Sequence, residues 1–331
     1  MKEKVLSREE NREPWQAKLT RVLKSRDMAP VWTLIALSLF FSVASSSFFS
    51  LENFNNILNQ IAVLAIMGTG TTFVLLTAQI DLSIATMATL GGVVAAFFTA
   101  TIPLPQPLPI FVALLVTVFL GLINGWGTAY LGIPSFMVTL AMSLIASGLS
   151  LYLTKGRIIF KIPPLAMTLG SGRIGPVKWL VIVAALTLLI GHLVLKYTRF
   201  GRYVYMTGAN PHAADLAGVN TKYIIAIVMA ISGLTGGIAG VVSLGRLASA
   251  QPTGLDSLLI DTIGAVVLGG TSLFGGIGGI PQTVVGLLIL GVLRNGLDQI
   301  SVNIYLKVFV TGVILLAALI FNIVFAGKKE Q

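Results

Sequence analysis

The sequence predicts an all-α polytopic bundle built into a membrane, with about ten spans, or eight if some segments are re-entrant. Three observations carry this. Charged side chains are 10% of the 331 residues, 22 basic against 12 acidic, while 55% are hydrophobic and the mean hydropathy is +0.91. A soluble domain carries roughly 25% charge to cover its surface, so a soluble enzyme is excluded. From Met28 to Thr154 there is no Lys or Arg, and Glu52 and Asp81 are the only acids. That length accommodates several crossings at roughly 20 residues each. Finally, the apolar runs are separated by helix-breaking punctuation, such as Pro103, Pro105, Pro107 and Pro109, and Ile133-Pro134-Ser135.

In chain order, residues 1–29 form a basic segment with Lys2, Lys4, Arg8, Arg12, Lys18, Arg21, Lys24 and Arg26. The spacing of Trp15, Leu19, Val22 and Leu23 suits an amphipathic helix on the inner leaflet, and a solvated positive anchor is the alternative. The first apolar run, Val31–Phe49, is too long for a signal peptide and has no A-x-A end, so no cleavable leader is expected. Spans are predicted at approximately 30–49, 61–77, 83–102, 110–131, 136–154, 179–195, 223–245, 258–274, 280–296 and 304–326. The positive-inside rule puts residues 1–29 in the cytoplasm. Ten spans then return the tail at 327–331, with Lys328 and Lys329, to the same side. The loop 196–222, with Lys196, Arg199, Arg202 and Lys222, also falls inside. The outer loop Lys155–Lys178 carries five basic residues and departs locally from the rule. The net charge of +10 follows from this asymmetry, and a nucleic-acid partner is not expected.

Several chemistries are absent from the sequence. There is no cysteine, the two histidines form no H-E-x-x-H pair, and there is no G-x-x-x-x-G-K-[ST] phosphate loop. No metal or cofactor is expected on this chain. Small-residue faces are prominent instead, notably Gly233, Gly236, Gly237 and Gly240, which suit close helix packing in lipid. Gly269-Gly270 and Gly275-Gly276-Ile277-Gly278-Gly279 predict a turn or an unwound helix. A weak internal repeat pairs Thr89–Val94 with Thr262–Val267 and Leu120–Gly125 with Leu290–Gly296. The pairing is offset by five spans, which would invert one half relative to the other, as in many transporters.

Candidate interior residues are Asp81, Ser83, Asn124, Asp261 and Asn295. Asp81 in Ile80-Asp81-Leu82-Ser83 is an acid between two apolar spans. It either caps the helix that starts near Ser83 or lines a pathway and accepts hydrogen bonds from a polyol. Asp256 and Asp261 flank the start of the eighth span and invite the same two readings. In the loop 196–222, Asn210-Pro211 suits the cap and first turn of a short helix. Ala213, Ala214 and Ala217 could then seat it in a partner's groove, or it could be a plain surface helix.

The stretch Arg199-x-Gly201-Arg202, followed by Gly208-x-Asn210-x-x-Ala213-Ala214-x-x-Ala217-Gly218, resembles the cytoplasmic coupling loop of ribose-type ABC transporter permeases. Four more segments are similar to that family in the same order: Ile80–Ser83, Asn124-Gly125 with Ile133–Leu140, Ala265–Gly276, and Asn295-Gly296-Leu297. The similarity covers about residues 50–325. Two departures stand out. Ala78-Gln79 replaces two glycines before I-D-L-S, and Leu259 stands where the family usually has Glu.

The resemblance implies a type II importer-like permease domain at 30–326 in a bacterial cytoplasmic (inner) membrane. It implies import of a monosaccharide or similar small polyol, with the substrate position left open by Leu259. It also implies three partners: a cytoplasmic ABC ATPase that uses the ATP, an extracytoplasmic solute-binding protein, and a second permease copy or paralogue. Arg199, Gly201, Arg202, Gly208, Asn210, Ala213, Ala214 and Gly218 are the expected ATPase contact. From the residues alone, an ion-coupled secondary transporter using Asp81 or Asp261 stays open.

Overall fold

The computed structural model describes residues 28–102 and 104–326. The basic segment around Trp15 and the tail at 327–331 lie outside these residues, and so do the expectations placed on them. Every predicted span is helical. In chain order, α1 is Ala29–Ala44, α2 Leu51–Leu76, α3 Ile84–Thr101, α4 Leu108–Ala129 and α5 Ser135–Thr154. A short α6, Pro164–Ser171, and a hairpin of β1 (Arg173–Ile174) and β2 (Val177–Lys178) lead to α7, Trp179–Tyr197. Then come α8, Arg199–Ala209, α9, Pro211–Leu216, α10, Thr221–Leu247, α11, Leu258–Leu268, α12, Ile280–Gln299, and α13, Ile304–Ala326. Seven of these, α2, α3, α4, α5, α7, α10 and α12, are long and apolar enough to cross a bilayer.

Three boundaries differ from the prediction. The first span ends at Ala44, where successive serines compete for backbone hydrogen bonds and Ser45 turns extended. α2 then starts ten residues earlier than expected despite its polar beginning. Ser50 caps it by accepting from the Asn53 N–H at 3.1 Å, and Glu52 complements the helix dipole. The eighth span stops at Leu268, because Gly270, Gly275, Gly276, Gly278 and Gly279 all take positive φ, a backbone that continues no helix. The 11 residues of α11 reach about 16 Å, roughly half of a 30 Å hydrocarbon core, so the chain completes this crossing with non-helical backbone.

α10 is the central helix, packed against α2, α3 and α4. Its glycine face makes this possible. A Cβ on Gly240 would lie 1.9 Å from the Ala88 carbonyl oxygen of α3, and one on Gly121 of α4 would lie 2.4 Å from the Met229 oxygen of α10. Without a hydrophobic drive between helices in lipid, this backbone proximity supplies the dispersion contact that holds them.

The repeat suggested by the sequence has a structural counterpart. Thr89 lies on α3 and Thr262 on α11, and each of these helices follows a non-helical stretch (77–83 and 248–257). α4 runs toward α8, its Gly125 meeting Ala226 near the start of α10. α12 runs away from α8: Gly279 beside its first turn lies near Tyr205, and Asn295 near its end meets Asn53. The paired segments therefore run in opposite directions.

Gly240→Leu is expected to lower the unfolding temperature of the detergent-solubilised protein, by a destabilisation of about 1–3 kcal/mol from overpacking. Gly148→Ala, where a Cβ meets nothing within 4 Å, is expected to leave it unchanged.

Candidate functional site

The site has two parts, an unwound stretch inside the bundle and a helical unit at one end. Between α2 and α3, residues 77–83 leave the helix. Ser232, which bonds to Asp81, is the twelfth residue of α10, about 16 Å along its axis, so this stretch reaches deep into the bundle. There every backbone N–H freed from a helix needs a new acceptor.

The Thr77, Ala78 and Gln79 N–H groups donate to carbonyls of α2, and side chains serve those of Ile80, Leu82 and Ser83. Ser135 Oγ accepts from the Ile80 N–H at 3.0 Å, and Thr139 Oγ1 accepts from the Leu82 N–H at 3.0 Å. These two residues are four apart on α5 and so share a face. Asp81 Oδ1 accepts from the Ser83 N–H at 2.8 Å and from Ser83 Oγ at 2.6 Å, while its Oδ2 accepts from Ser232 Oγ at 2.6 Å. Asn124 Nδ2 of α4 donates to Ser83 Oγ at 2.9 Å. Asp81, Ser83, Asn124, Thr139 and Ser232 are all buried. Asp81 thus serves the turn that opens α3 and ties that turn to α10. Ala78 pivots the stretch at φ +57°, a conformation that costs an L-residue about 1–2 kcal/mol and that glycine takes freely.

The other interior candidates lie elsewhere. Arg294 of α12 donates to Asp261 Oδ1 at 2.5 Å, forming an ion pair between α11 and α12. Asn295 accepts from Asn53 Nδ2 at 2.8 Å, toward the hairpin end of the bundle. Asp256 accepts from Thr89 Oγ1 at 2.7 Å. The structure therefore brings together Asp81, Ser83 and Asn124 and separates Asp261 and Asn295 from them. Among the described residues no cluster of metal-binding side chains occurs. Sequence reasoning missed Ser135, Thr139, Ser232 and Arg294. The i, i+4 spacing of Ser135 and Thr139 inside a recognised motif was the available signal.

The helical unit is α8–α9. Thr198 caps α8 by accepting from the Gly201 N–H at 3.0 Å. Gly208 seats the far end of α8: a Cβ there would lie 1.8 Å from the Leu76 oxygen at the end of α2 and 2.9 Å from the Gly276 nitrogen. Tyr205 Oη donates to the Gly278 oxygen at 2.9 Å, and the Gly276 N–H donates to the Leu76 oxygen at 3.0 Å. Burial holds the Tyr205 hydroxyl above its usual pKa, so it stays protonated and able to donate. α8 is thus fastened both to α2, immediately before the unwound stretch, and to the α11–α12 loop. Asn210 caps α9 by accepting from the Ala213 N–H at 2.9 Å. Asp215 accepts from Thr221 Oγ1 at 2.7 Å, which holds its carboxyl below the usual carboxylate range and joins α9 to α10.

This divides the expected contact residues. Arg199, Arg202, Asn210, Ala213 and Gly218 are exposed, while Gly201, Gly208 and Ala214 are buried. The last three therefore position the unit and do not present a face. Ala214 packs inward with Val204, Val219 and Ile224, so the three alanines do not form one outward stripe. Leu216, at 78% exposure, projects outward beside them.

The family model described as "Branched-chain amino acid transport system / permease component" matches residues 53–319. The chain belongs to this permease family. The permease is 36% identical over 300 residues to the ribose import permease protein of Haemophilus influenzae, covering 89% of this chain and 93% of the relative. It is 37% identical over 301 residues to the ribose import permease protein of Escherichia coli strain K12, covering 90% and 92%. It is 31% identical over 347 residues to the xylose transport system permease protein of the same strain, covering 86% and 88%. No solved structure matches.

Thr139→Val removes the acceptor for the Leu82 N–H and is expected to destabilise the permease by about 1–3 kcal/mol. Thr139→Ser keeps the hydroxyl and is expected to retain most of that stability, as measured by thermal unfolding in detergent.

Proposed function

We propose that this permease is the membrane-spanning subunit of an ATP-driven importer of a monosaccharide or similar small polyol. The α8–α9 unit carries this reading. It has a capped, glycine-seated framework and an exposed face of Arg199, Arg202, Asn210, Ala213 and Leu216. Such a face suits docking in a groove of a separate ATPase, and the sequence holds no phosphate loop of its own. The likeness to ribose and xylose import permeases over most of the chain supports a sugar.

In this reading the α8–α9 end is cytoplasmic, together with the start of α1, and the hairpin end is extracytoplasmic. A soluble binding protein delivers substrate at the hairpin end, and a second copy or a paralogue completes the pathway. ATP-driven closure of the ATPases would push α8 against the end of α2 and against the α11–α12 loop. The non-helical stretches beside them would take up the motion, giving alternating access. Asp81 and Asp261 already have protein partners, which disfavours the ion-coupled alternative.

Sugar uptake into proteoliposomes is expected only with the cognate ATPase and ATP present. Ion-driven uptake by this chain alone would overturn the reading. Ala213→Trp or Leu216→Asp is expected to weaken ATPase co-purification about 30-fold, the loss of a hot-spot contact, without changing membrane insertion. Undiminished association would remove α8–α9 from the interface.

A further inference from the structure

A polar cleft of about 450 Å³ opens at the hairpin end, between the start of α2 and the end of α12. The size falls within the range of roughly 300–1,000 Å³ typical of small-molecule sites. Six amides line it: Asn53, Asn56, Asn59 and Gln60 from α2, and Asn295 and Gln299 from α12. Lys178 of the hairpin, Arg246 at the end of α10, and Asp298 complete the lining. No aliphatic or aromatic side chain takes part.

Some of the amides are locked. Ser45 Oγ donates to Gln299 Oε1 at 3.3 Å, Gln299 Nε2 to Asn53 Oδ1 at 2.9 Å, and Asn53 Nδ2 to Asn295 Oδ1 at 2.8 Å. This chain fixes the wall of the cleft. Asn56 and Gln60 differ: neither side chain has a hydrogen-bond partner among the described residues, and both line the cleft. Their amide groups are open to the hydroxyls of a ligand.

We infer that this cleft is a binding station for a neutral polyhydroxylated molecule, held by amide hydrogen bonds at the mouth of the pathway. This rests on the reading above, which makes the hairpin end extracytoplasmic and the cargo a small polyol. The chemistry is selective. Each amide offers two donors and an acceptor, which matches adjacent hydroxyl groups. The lining offers a branched aliphatic group no aliphatic or aromatic side chain to pack on, which favours a polyol over the branched-chain amino acid of the family description. Without an aromatic platform the hold is weak, which suits a station that must release its cargo onward.

The test uses the full-length permease in nanodiscs and saturation-transfer NMR with D-ribose, D-xylose, L-leucine and inorganic phosphate as separate probes. Transfer to at least one pentose is expected, with none to leucine or phosphate. Asn56→Leu, at an exposed position, and Gln60→Leu are each expected to weaken pentose binding by about fivefold or more, the loss of one hydrogen bond. Gln60→Ser, which keeps a hydroxyl, is expected to lose less. ATPase association is the check on folding. Pentose signals unchanged in both leucine variants, or displaced by leucine or phosphate, would overturn the inference. ATP-driven uptake that persists unchanged in Asn56→Leu would count against the cleft alone. Absence of ATP-driven uptake in the unsubstituted protein would count against the transport reading instead.

Discussion

A backbone that leaves its helix inside a membrane must find an acceptor for each freed N–H group, and in residues 77–83 the acceptors are carbonyls of α2, two hydroxyls of α5 and the Asp81 carboxylate. Ser135 and Thr139 reach in from α5 as acceptors, while Ser232 from α10 and Asn124 from α4 donate to the Asp81 carboxylate and to the Ser83 hydroxyl, tying the turn to two more helices. In hydrocarbon an unsatisfied amide costs several kcal/mol, so these helices are not free to shift independently of the stretch they serve. The position of α3 and the packing around α10 follow from this arrangement. Asp81 sits where the constraint is tightest, because one carboxylate accepts three hydrogen bonds there.

The same stretch gives the molecule a mechanical route from one end to its interior. α8 lies on the last carbonyl of α2, close enough that only glycine fits at position 208. The next seven residues form the unwound stretch that ends at the Asp81 turn. On the other side of α8, Tyr205 holds the glycine-rich loop that separates α11 from α12. A displacement of α8 therefore acts on two non-helical elements at once, residues 77–83 and the loop between α11 and α12. A continuous helix in either place would transmit it as a rigid body, whereas a side-chain-supported break can rearrange between discrete hydrogen-bonded states.

Much of this was legible in the sequence. Hydropathy located the ten apolar helices found among the described residues, since lipid burial leaves a long uninterrupted signal. The glycine clusters at 269–279 read as a turn or an unwound helix, but the predicted span ran on to 274, because hydropathy does not register that glycines with positive φ cannot propagate a helix. For Asp81 the sequence left a cap and a pathway position open, and its hydrogen bonds to Ser83 and Ser232 are visible only in the folded chain. The hydrogen-bond partners of residues 77–83 were not legible as partners. Ser135 and Thr139 lie 55 and 57 residues from the amides they satisfy, and nothing local marks a serine as an acceptor for a distant backbone. The inward burial of Ala214 was hidden for a related reason. A six-residue helix is too short for periodicity to separate its faces, and only packing against Val204 and Val219 decides it. The pairing of Asp261 with Arg294 depends on how α11 lies beside α12, which the loop glycines set and composition does not reveal.

Hydrogen–deuterium exchange across residues 77–83 of the membrane-embedded permease tests the central claim most directly. Held by Ser135, Thr139 and Asp81, the Ile80, Leu82 and Ser83 N–H groups should exchange about as slowly as those of the first turns of α3. Exchange at the rate of an open loop would contradict the account, since it would mean that these side chains do not hold the unwound backbone in place.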